Sequence, residues 1–444
     1  MNKDCLVIGG GLAGVEASNV ISKAGFHVTL CEMKPERFSP AHSSADLAEL
    51  VCSNSLKALR VSSASGLLKA EMETLGSICV ESAKQCAVPA GGALAVDRES
   101  FSRIITEKIT NDPLIDVVRG EVTEIPDKRP VIIAAGPLAS DSLAKSIGEK
   151  CGGFLSFFDA AAPIVTKDSI DMESAFFASR YDKGGDDGYI NCPLDKEEYE
   201  AFYNELIHAE RAEIHDFDKK GNVYEGCMPI EIMASRGPDT IRFGPLKPVG
   251  LRDPRTGKRP WAVLQLRREN AEGTLYNLVG FQTNLKFGEQ KRVFSMFPAL
   301  KNAEFARYGV MHRNTFINSP KVLTENFSMK DDPDVFFAGQ ITGVEGYMES
   351  ASSGIIAGIN AVLRMKGLPS FVPPPETIIG ELCRHVAFSV SDSFQPMGAN
   401  FGMLPPYGER IRDKRLRYEA LAERSLSLLR TEASELKESL GISG

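Results

Sequence analysis

The sequence contains no apolar run that approaches the roughly 18 residues needed to cross a bilayer. Its first residues, Met1-Asn-Lys-Asp, lead directly into an apolar stretch and carry none of the pattern of a secretory leader. Together these absences argue against a membrane-spanning or secreted protein. We therefore expect a cytoplasmic protein that has no membrane partner.

The sequence also lacks the residue spacings that are typical of a metal site. The nine cysteines include no C-x-x-C pair, and the six histidines form no cluster with them at the spacing of zinc ligands. We expect no metal site, and we expect free thiols in a reducing compartment. A reactive cysteine must therefore be identified from the residues around it.

The sequence also has no overall excess of positive charge, because its formal net charge is −8. This average argues mildly against a nucleic-acid partner. It conceals a basic segment, since residues 241–300 hold 11 Lys and Arg against 4 Asp and Glu. Charge alone leaves two interpretations open: a surface that contacts RNA phosphates, and a solvated surface without a polyanion.

A glycine-rich motif stands near the start of the chain, in Leu6-Val-Ile-Gly-Gly-Gly-Leu-Ala-Gly14. Apolar residues lead into G-x-G-x-x-G, a spacing that lets backbone N–H groups approach a pyrophosphate at a helix N-terminus. Glu32 ends the second predicted strand, where a carboxylate typically binds a ribose. The predicted dinucleotide-binding residues are Gly9, Gly10, Gly11, Leu12, Ala13, Gly14 and Glu32.

Two later segments also read as buried strands that end in small-residue turns. They are Val131-Ile-Ile-Ala-Ala-Gly136 and Asp334-Val-Phe-Phe-Ala-Gly339-Gln340. The second leads through Tyr347 into a helix rich in small residues, and in many FAD enzymes such a turn faces the flavin. We therefore add Gly339, Gln340 and Tyr347 to the predicted cofactor-binding residues.

Short alternating strands between these two segments predict an α+β insertion. The fold class that follows is α/β, a Rossmann-like FAD-binding domain interrupted by an α+β insertion domain. We predict the first part of the FAD domain at 1–165, the insertion domain at 166–305, and the second part with C-terminal helices at 306–444. The last helix is predicted over residues 410–440, and residues 45–52 read as a short helical stretch that ends at Cys52.

Several longer stretches are more specific than the glycine motif. They are Leu50-Val-Cys-Ser-Asn-Ser-Leu56, Pro89-Ala-Gly-Gly-Ala-Leu-Ala-Val-Asp-Arg98, Tyr224-Glu-Gly-Cys-Met-Pro-Ile-Glu231, Phe243-Gly-Pro-Leu-Lys-Pro-Val-Gly-Leu251, Gly288-Glu-Gln-Lys-Arg292, Tyr308-Gly-Val-Met-His-Arg-Asn-Thr315 and Gln340-Ile-Thr-Gly-Val-Glu-Gly-Tyr347. As an ordered set they closely resemble the bacterial folate- and FAD-dependent tRNA uracil-5-methyltransferases. A sister family, the wobble-uridine-modifying flavoproteins, shares the FAD frame.

The resemblance implies a reaction and its cofactors. In it, 5,10-methylenetetrahydrofolate supplies a one-carbon unit, reduced FAD carries and reduces that unit, and NADH or NADPH reduces the flavin. The product is 5-methyluridine in the tRNA T-loop, so tRNA, through its T-arm, is the implied partner. No feature of the sequence points to an obligate protein partner.

The chemistry of uracil explains why this family uses thiols. Uracil C5 is a poor nucleophile until a group adds to C6, and a thiolate is well suited to that addition. A base must later remove the C5 proton. In the family, cysteines at the positions of Cys52 and Cys227 serve these two steps, and which thiol serves which step stays open.

One residue departs from the family pattern. Family members often have a histidine at the position of Asn284, and the resemblance implies that this imidazole stacks on the folate against the flavin. Asparagine can form hydrogen bonds but offers no aromatic face. We expect folate to be held differently here. For Tyr347, stacking on the flavin and simple packing at a helix start remain alternatives.

The basic segment fits an RNA substrate. A T-loop base must leave its stack to reach a flavin, so the protein must grip the surrounding phosphates. The residues predicted for these contacts are Arg252, Arg255, Lys258, Arg259, Lys286, Lys291 and Arg292.

Three alternatives remain at this point. The same chemistry could act on ribosomal RNA. The FAD frame could belong to a flavin oxidoreductase for a small molecule, with Cys52 and Cys227 as a redox pair. The protein could also bind FAD and RNA without catalysis.

Overall fold

Two large sheets organise the chain, which a computed structural model describes over residues 4–39, 41–128, 130–160, 162–182, 188–212, 222–223, 228–270, 272–309, 311–390, 394–408 and 410–442. The strands are β1 (Asp4–Ile8), β2 (His27–Glu32), β3 (Ser55–Ala58), β4 (Ala87–Val88), β5 (Ala93–Val96), β6 (Ile115–Arg119), β7 (Val131–Ile133), β8 (Phe154–Ala160), β9 (Ile164–Thr166), β10 (Phe176–Phe177), β11 (Tyr189–Leu194), β12 (Asn222–Val223), β13 (Ala262–Arg268), β14 (Leu275–Leu278), β15 (Phe305–Arg307), β16 (Met311–Ile317) and β17 (Val335–Phe337). The helices are α1 (Leu12–Lys23), α2 (Ala64–Thr74), α3 (Ile78–Gln85), α4 (Arg98–Thr110), α5 (Asp141–Cys151), α6 (Lys196–His208), α7 (Ile230–Ala234), α8 (Pro238–Phe243), α9 (Phe287–Phe294), α10 (Ser319–Val322), α11 (Tyr347–Lys366), α12 (Ile378–Phe388) and α13 (Lys414–Leu440).

The first sheet is parallel and has the strand order β17-β7-β1-β2-β6. Its central strand β1 pairs with β2 on one side and with β7 on the other. The chain order therefore reverses at β1, and in such sheets ligands bind in the crevice beyond the carboxyl ends of the strands. This sheet, with its helices, confirms the predicted Rossmann-like α/β fold.

The second sheet has six strands, in the order β10-β11-β13-β14-β9-β15. All of its described pairings are antiparallel, and it packs against its own helices with a separate apolar core. Phe202, Phe281 and Phe297 lie at the centre of this core, with ring centroids 4.9–6.0 Å apart. Two small sheets, β12-β8-β16 and β3-β5-β4, complete the described strands.

The helix that follows the late strand packs directly on the first helix. A Cβ atom placed on Gly354 of α11 would lie 2.1 Å from the carbonyl oxygen of Ala13 in α1. A Cβ on Gly358, one turn later, would lie 2.9 Å from the carbonyl oxygen of Ala17. Side chains at these two positions would separate the helices. Glycine therefore permits the backbone contact between α11 and α1.

The last helix begins later than its sequence predicts. It starts at Lys414 because the Asp413 side chain accepts a hydrogen bond from the Leu416 N–H, at 2.8 Å, and so caps the helix. Within the described part of the chain, no helix combines the length and apolarity needed to cross a membrane.

The contact between α1 and α11 yields a stability prediction. Gly354→Ala should lower the free energy of unfolding by about 1–3 kcal/mol, because its methyl group overlaps the α1 backbone. Urea unfolding of both proteins measures the difference. Gly288→Ala in α9 is the matched control, since a Cβ there meets no atom within 4 Å. Equal stability of Gly354→Ala and Gly288→Ala would contradict this packing.

Candidate functional site

A cleft opens beyond the carboxyl ends of β1 and β7. Its empty volume is about 1210 Å³, including the part that is open to solvent. It is lined by the glycine turn, the end of β2, the segment before β3, the turns that follow β6, β7 and β17, and individual residues of α5, β16 and α11. Among the residues singled out from the sequence, those that line it are Gly9, Gly10, Gly11, Leu12, Ala13, Glu32, Cys52, Gly339, Gln340 and Tyr347.

The glycines of the turn have different steric roles. Gly9 has φ +106°, and a Cβ there would lie 2.5 Å from the Ala134 carbonyl oxygen. A Cβ on Gly14 would lie 1.8 Å from the Gly9 carbonyl oxygen, so this glycine lets α1 pack on the turn rather than lining the cleft. A Cβ on Gly11 would meet no atom of the described residues within 4 Å. The turn thus brings its backbone and the N-terminus of α1 to open space, as a pyrophosphate requires.

Glu32 is buried at the edge of this turn. One carboxylate oxygen accepts a hydrogen bond from the Gly10 N–H at 2.8 Å, and the other accepts one from the Lys34 N–H at 2.9 Å. A carboxylate has about four acceptor positions, so both oxygens keep capacity for ligand hydroxyl groups. The geometry is compatible with the ribose contact predicted from the sequence.

The turn after β17 forms another wall of the cleft. The Gly339 N–H donates to the Ser353 hydroxyl at 2.7 Å, which fixes the turn on α11. Gln340 donates through Nε2 to the Glu345 carboxylate at 2.6 Å. The N-terminus of α11 thereby faces the same cleft as the N-terminus of α1.

Asn314 is a cleft residue that was not singled out from the sequence. It lies on β16, is 1% exposed, and lines the cleft. Its Oδ1 atom has no hydrogen-bond partner among the described residues, which is unusual for a buried amide oxygen. A ligand N–H group in the cleft would satisfy it. This orphaned acceptor, the open glycine turn and the Glu32 carboxylate together fit a dinucleotide cofactor such as FAD.

The segment around Cys52 corrects one expectation from the sequence. Residues 45–52 form no helix, because the Leu47 N–H donates to the Thr106 hydroxyl and the Ala48 N–H to the Gly10 carbonyl oxygen. Ala48 also has φ +53°, outside the helical region. Leu47 and Leu50 are buried, so the apolar pattern arises from two core contacts in an irregular segment.

Tyr347 connects this segment to α11. Its hydroxyl oxygen accepts hydrogen bonds from the Cys52 N–H at 2.7 Å and from the Ser53 N–H at 3.2 Å. Burial is the largest cause that raises the pKa of the Tyr347 hydroxyl, which therefore stays neutral at physiological pH. Its observed role is to hold the backbone at Cys52, and stacking on a flavin stays a prediction.

Three arginines bind the residues on either side of Cys52. Arg98 Nη1 donates to the Leu50 carbonyl oxygen at 2.5 Å, and Arg307 Nη2 donates to the Val51 carbonyl oxygen. Arg267 Nη2 donates to the Ser53 hydroxyl at 2.8 Å, and its Nε donates to Asn54 Oδ1 at 3.0 Å.

The origins of these arginines show why the sequence did not reveal them together. Arg98 begins α4, whereas Arg267 is the second-last residue of β13 and Arg307 the last residue of β15 in the antiparallel sheet. Only Arg98 lies within a stretch quoted for the family resemblance, so that stretch was the one available signal.

The other described cysteines differ from Cys52 in their surroundings. Burial is the largest cause that raises the pKa of each, to about 12 for Cys5 and to about 11 for Cys86 and Cys151. The same direction and cause hold for Cys31, Cys79, Cys192 and Cys383. Such thiols are poor nucleophiles at neutral pH. Among them only Cys31 shares the cleft with Cys52.

Cys227 lies outside the described residues, but the segment after it is described. Glu231, on α7, is fully buried and accepts hydrogen bonds from the Thr283 hydroxyl at 2.9 Å and the Asn284 N–H at 2.8 Å. Burial is the largest cause that raises the pKa of Glu231. Asn284 itself is buried, and its Nδ2 donates to the Ala212 carbonyl oxygen at 3.2 Å. Asn284 is not among the described residues that line the cleft.

The seven basic residues predicted for RNA contact divide into two groups. Arg255 pairs with Asp253, Lys286 with Glu210, and Arg292 with both Glu205 and Glu289. The remaining four are exposed and form no ion pair with a described carboxylate: Arg252, Lys258, Arg259 and Lys291. Arg252 and Arg259 also line one shared surface pocket, next to the buried Ser179.

Comparisons with known proteins agree with this fold and identify the family. The family model of glucose inhibited division protein A matches residues 4–369. A methylenetetrahydrofolate–tRNA-(uracil-5-)-methyltransferase TrmFO of Desulforamulus reducens is 57% identical over 425 residues, which cover 96% of this chain and 96% of that protein. The protein of the same name from Acetivibrio thermocellus is 57% identical over 430 residues, 97% of this chain and 98% of that one. The solved structure of Aquifex aeolicus GidA is similar with a TM-score of 0.71 at 16% identity, covering 98% of this chain and 73% of that one.

The position of Glu32 yields a binding prediction. Glu32→Ala should weaken FAD binding to the apo-protein by about 10- to 100-fold, because it removes a charged acceptor. Titration followed by flavin fluorescence measures the Kd, and thermal unfolding of the apo-protein reports any separate loss of stability. Glu99→Ala, at an exposed position on α4, is the control. Unchanged FAD affinity in Glu32→Ala would contradict the assignment.

Proposed function

The chain belongs to the family of glucose inhibited division protein A and, within it, to the methylenetetrahydrofolate–tRNA-(uracil-5-)-methyltransferases, and from this membership we propose that it methylates C5 of a uridine in tRNA. The proposed target is the T-loop uridine, and the proposed one-carbon donor is 5,10-methylenetetrahydrofolate. FAD is the proposed resident cofactor, and NADH or NADPH is the proposed reductant.

One observation carries the proposal. Cys52 lines the same cleft as the glycine turn, Glu32 and the N-terminus of α11. A thiol beside a flavin-sized cleft is the arrangement that a flavin-dependent reaction on uracil needs, because the base, the one-carbon unit and the cofactor must meet there. When bound, FAD in its reduced form would supply the electrons that turn the methylene unit into a methyl group.

The residues of this chain then have separable tasks. Glu32 and the glycine turn would bind the ribose and pyrophosphate of the cofactor, and Asn314 would accept a hydrogen bond from it. Tyr347 would keep the backbone of Cys52 at a fixed position. These assignments rest on the contacts described above and on the general chemistry of dinucleotide sites.

The thiols would act on the uracil ring. Addition of a thiolate forms a bond between sulfur and C6 and makes C5 nucleophilic, so that C5 can attack the one-carbon unit. A base then takes the proton from C5, and the C6–S bond breaks as the C5=C6 double bond returns. Cys52 and Cys227 are the proposed pair for these two steps, with their roles left open.

The folate would bind beside the loop that contains Asn284. Glu231 fixes Thr283 and Asn284 and lies four residues after Cys227, so this loop and the segment after Cys227 form one hydrogen-bonded unit. Asn284 would contact folate through hydrogen bonds in place of ring stacking. The family resemblance supports this proposed placement, and the Glu231 contacts show that the Asn284 loop is joined to the segment after Cys227.

The direct test is a methylation assay on unmodified tRNA transcript with purified protein, labelled methylenetetrahydrofolate and NADH or NADPH. The expected product is 5-methyluridine at the T-loop, with the label in its methyl group. Cys52→Ala and Cys227→Ala should each lower the rate by at least about 10²–10⁴-fold, the usual scale for a lost catalytic group. Mass spectrometry of nuclease fragments locates the product.

Cys86→Ala is the matched control, because Cys86 is half-buried and lies outside the cleft. It should retain full activity. Methylation of a ribosomal RNA fragment in place of tRNA would overturn the substrate assignment. Full activity in both Cys52→Ala and Cys227→Ala would overturn the thiol chemistry.

The division of the basic residues gives a second prediction. Arg252→Ala with Arg259→Ala should weaken tRNA binding and reduce the slope of log K against log salt by about 2, or about 1 per lost phosphate contact. Lys286→Ala with Arg292→Ala should change the slope less, because their carboxylate partners already neutralise them. Filter binding across a salt series measures both slopes. The reverse order of effects would show that the ion-paired residues make the contacts.

A further inference from the structure

Three aromatic side chains form a stack at the surface, where the start of α9 meets β15. Tyr308 stacks on Phe287, with ring centroids 5.0 Å apart and ring planes at 15°. It also stacks on Phe305, with centroids 5.1 Å apart and planes at 6°. Tyr308 and Phe305 are half-buried, whereas Phe287 is 55% exposed. The stack therefore includes one ring that its neighbours hold in place and whose surface is more than half open to solvent.

An exposed ring of this kind has the chemistry of a base-binding surface. Unpaired nucleobases stack on aromatic side chains, and the interaction tolerates any base because every base has a flat π-face. Because Tyr308 already contacts the ring of Phe287, little side-chain freedom would be lost when a base stacks on it. The stack is therefore a preorganised surface for a flat ring.

The stack is connected to the Cys52 segment through β15. Arg307 lies between Phe305 and Tyr308 in the chain. Its Nη2 donates to the carbonyl oxygen of Val51, the residue before Cys52. None of the three aromatic residues is among the described residues that line the cleft. The stack thus lies outside the cleft, beside the segment that carries a proposed catalytic thiol.

The charge around Phe287 favours a polyanion. Lys291 lies four residues after Phe287 on α9, so the two side chains share one face of the helix. Lys291 is exposed and forms no ion pair with a described carboxylate. The carboxylates that contact other residues of this region are each paired: Glu205 and Glu289 with Arg292, and Glu210 with Lys286. A free cation beside an exposed ring can bind the phosphate and the base of an unpaired nucleotide.

We propose that Phe287, held by Tyr308 and Phe305, is a stacking platform for an unpaired base of the substrate RNA next to the target uridine, with Lys291 on the adjoining phosphate. The proposal rests on the proposed function, in which the target uridine enters the cleft at Cys52. A loop that releases this uridine also loses stacking between neighbouring bases. The ring of Phe287 replaces part of that lost stacking.

The pterin ring of folate is the other flat ring that the proposed function requires. Its one-carbon unit must meet the flavin and Cys52 inside the cleft, and Phe287 is not among the described residues that line the cleft. The position of the platform therefore favours RNA. Separate measurements with tRNA and with folate distinguish the two ligands.

The test is the affinity of the FAD-loaded protein for unmodified tRNA transcript, measured by filter binding without folate or reductant. Phe287→Leu keeps an apolar side chain but removes the aromatic face. It should weaken binding by about 5- to 50-fold, the scale of one lost base stack. The slope of log K against log salt should stay unchanged, because no phosphate contact is lost. Lys291→Ala should instead reduce this slope by about 1.

Phe287→Trp reports stacking directly. It keeps an aromatic face, so it should bind tRNA at least as tightly as the parent. Its fluorescence should be quenched by tRNA more strongly than that of the parent, whose single tryptophan is Trp261. Phe388→Leu is the matched control, because Phe388 is 64% exposed at the end of α12 and has Arg384 over its ring. This control should bind tRNA as the parent does.

Two results would overturn the proposal. Equal tRNA affinity in Phe287→Leu and the parent would show that no base stacks on this ring. A higher KM for methylenetetrahydrofolate in Phe287→Leu, with unchanged tRNA affinity, would assign the ring to folate. If Phe287→Leu weakens tRNA binding but the parent methylates no RNA, the platform stands and the proposed function fails. If the parent methylates tRNA and Phe287→Leu binds it normally, the platform fails alone, so the two failures are distinguishable.

Discussion

The backbone contact between α1 and α11 is the constraint on which the cleft depends. It brings a helix from the last quarter of the chain against the helix of the first glycine motif, and it is possible because Gly354 and Gly358 have no side chains. This contact places the N-terminus of α11 at the cleft. Tyr347, the first residue of α11, then reaches the backbone N–H groups of Cys52 and Ser53. The position of the Cys52 segment therefore depends on the packing of the glycine face of α11 against Ala13 and Ala17 of α1.

The antiparallel sheet supplies the second set of restraints on the same thiol. Arg267 and Arg307 lie at the ends of β13 and β15, as the second-last and the last residue respectively, and bind residues 51, 53 and 54. A domain that also carries the exposed basic residues is thus in direct contact with the Cys52 segment. In the proposed function, the exposed basic residues that would bind RNA lie in the segment before β13 and in α9, and two of the arginines that bind the Cys52 segment lie in strands of the antiparallel sheet.

Local signals in the sequence predicted the parallel sheet and the glycine turn, because a strand, a turn and a helix each depend on nearby residues. The same reasoning was wrong for residues 45–52, where Leu47 and Leu50 are buried by tertiary contacts and the backbone N–H groups bond to Gly10 and Thr106. The spacing of apolar residues alone does not distinguish a helix from an irregular segment whose apolar residues are buried.

The three arginines that bind the Cys52 segment, and Asn314, were beyond prediction for a related reason. Arg98, Arg267 and Arg307 are separated by long stretches of sequence, and only the tertiary structure brings α4 and the strands β13 and β15 together at the Cys52 segment. In the sequence, Arg267 counted only as one of the charges of the basic segment 241–300, and Arg307 lies outside that segment. Asn314 was visible only as a member of a quoted stretch, and its orphaned oxygen emerges from the packing of β16. Counting charges in the sequence also treated the seven basic residues alike, whereas the ion pairs of the structure divide them into two groups.

The central claim is that one cleft holds the flavin ring beside Cys52, with the adenosine half of FAD at Glu32. An experimental structure of the FAD complex tests it most directly. The account predicts the ring system between Gln340, Tyr347, Asn314 and Cys52, and a ribose hydroxyl on the Glu32 carboxylate. A flavin ring bound at the Glu32 end, or outside this cleft, would contradict it.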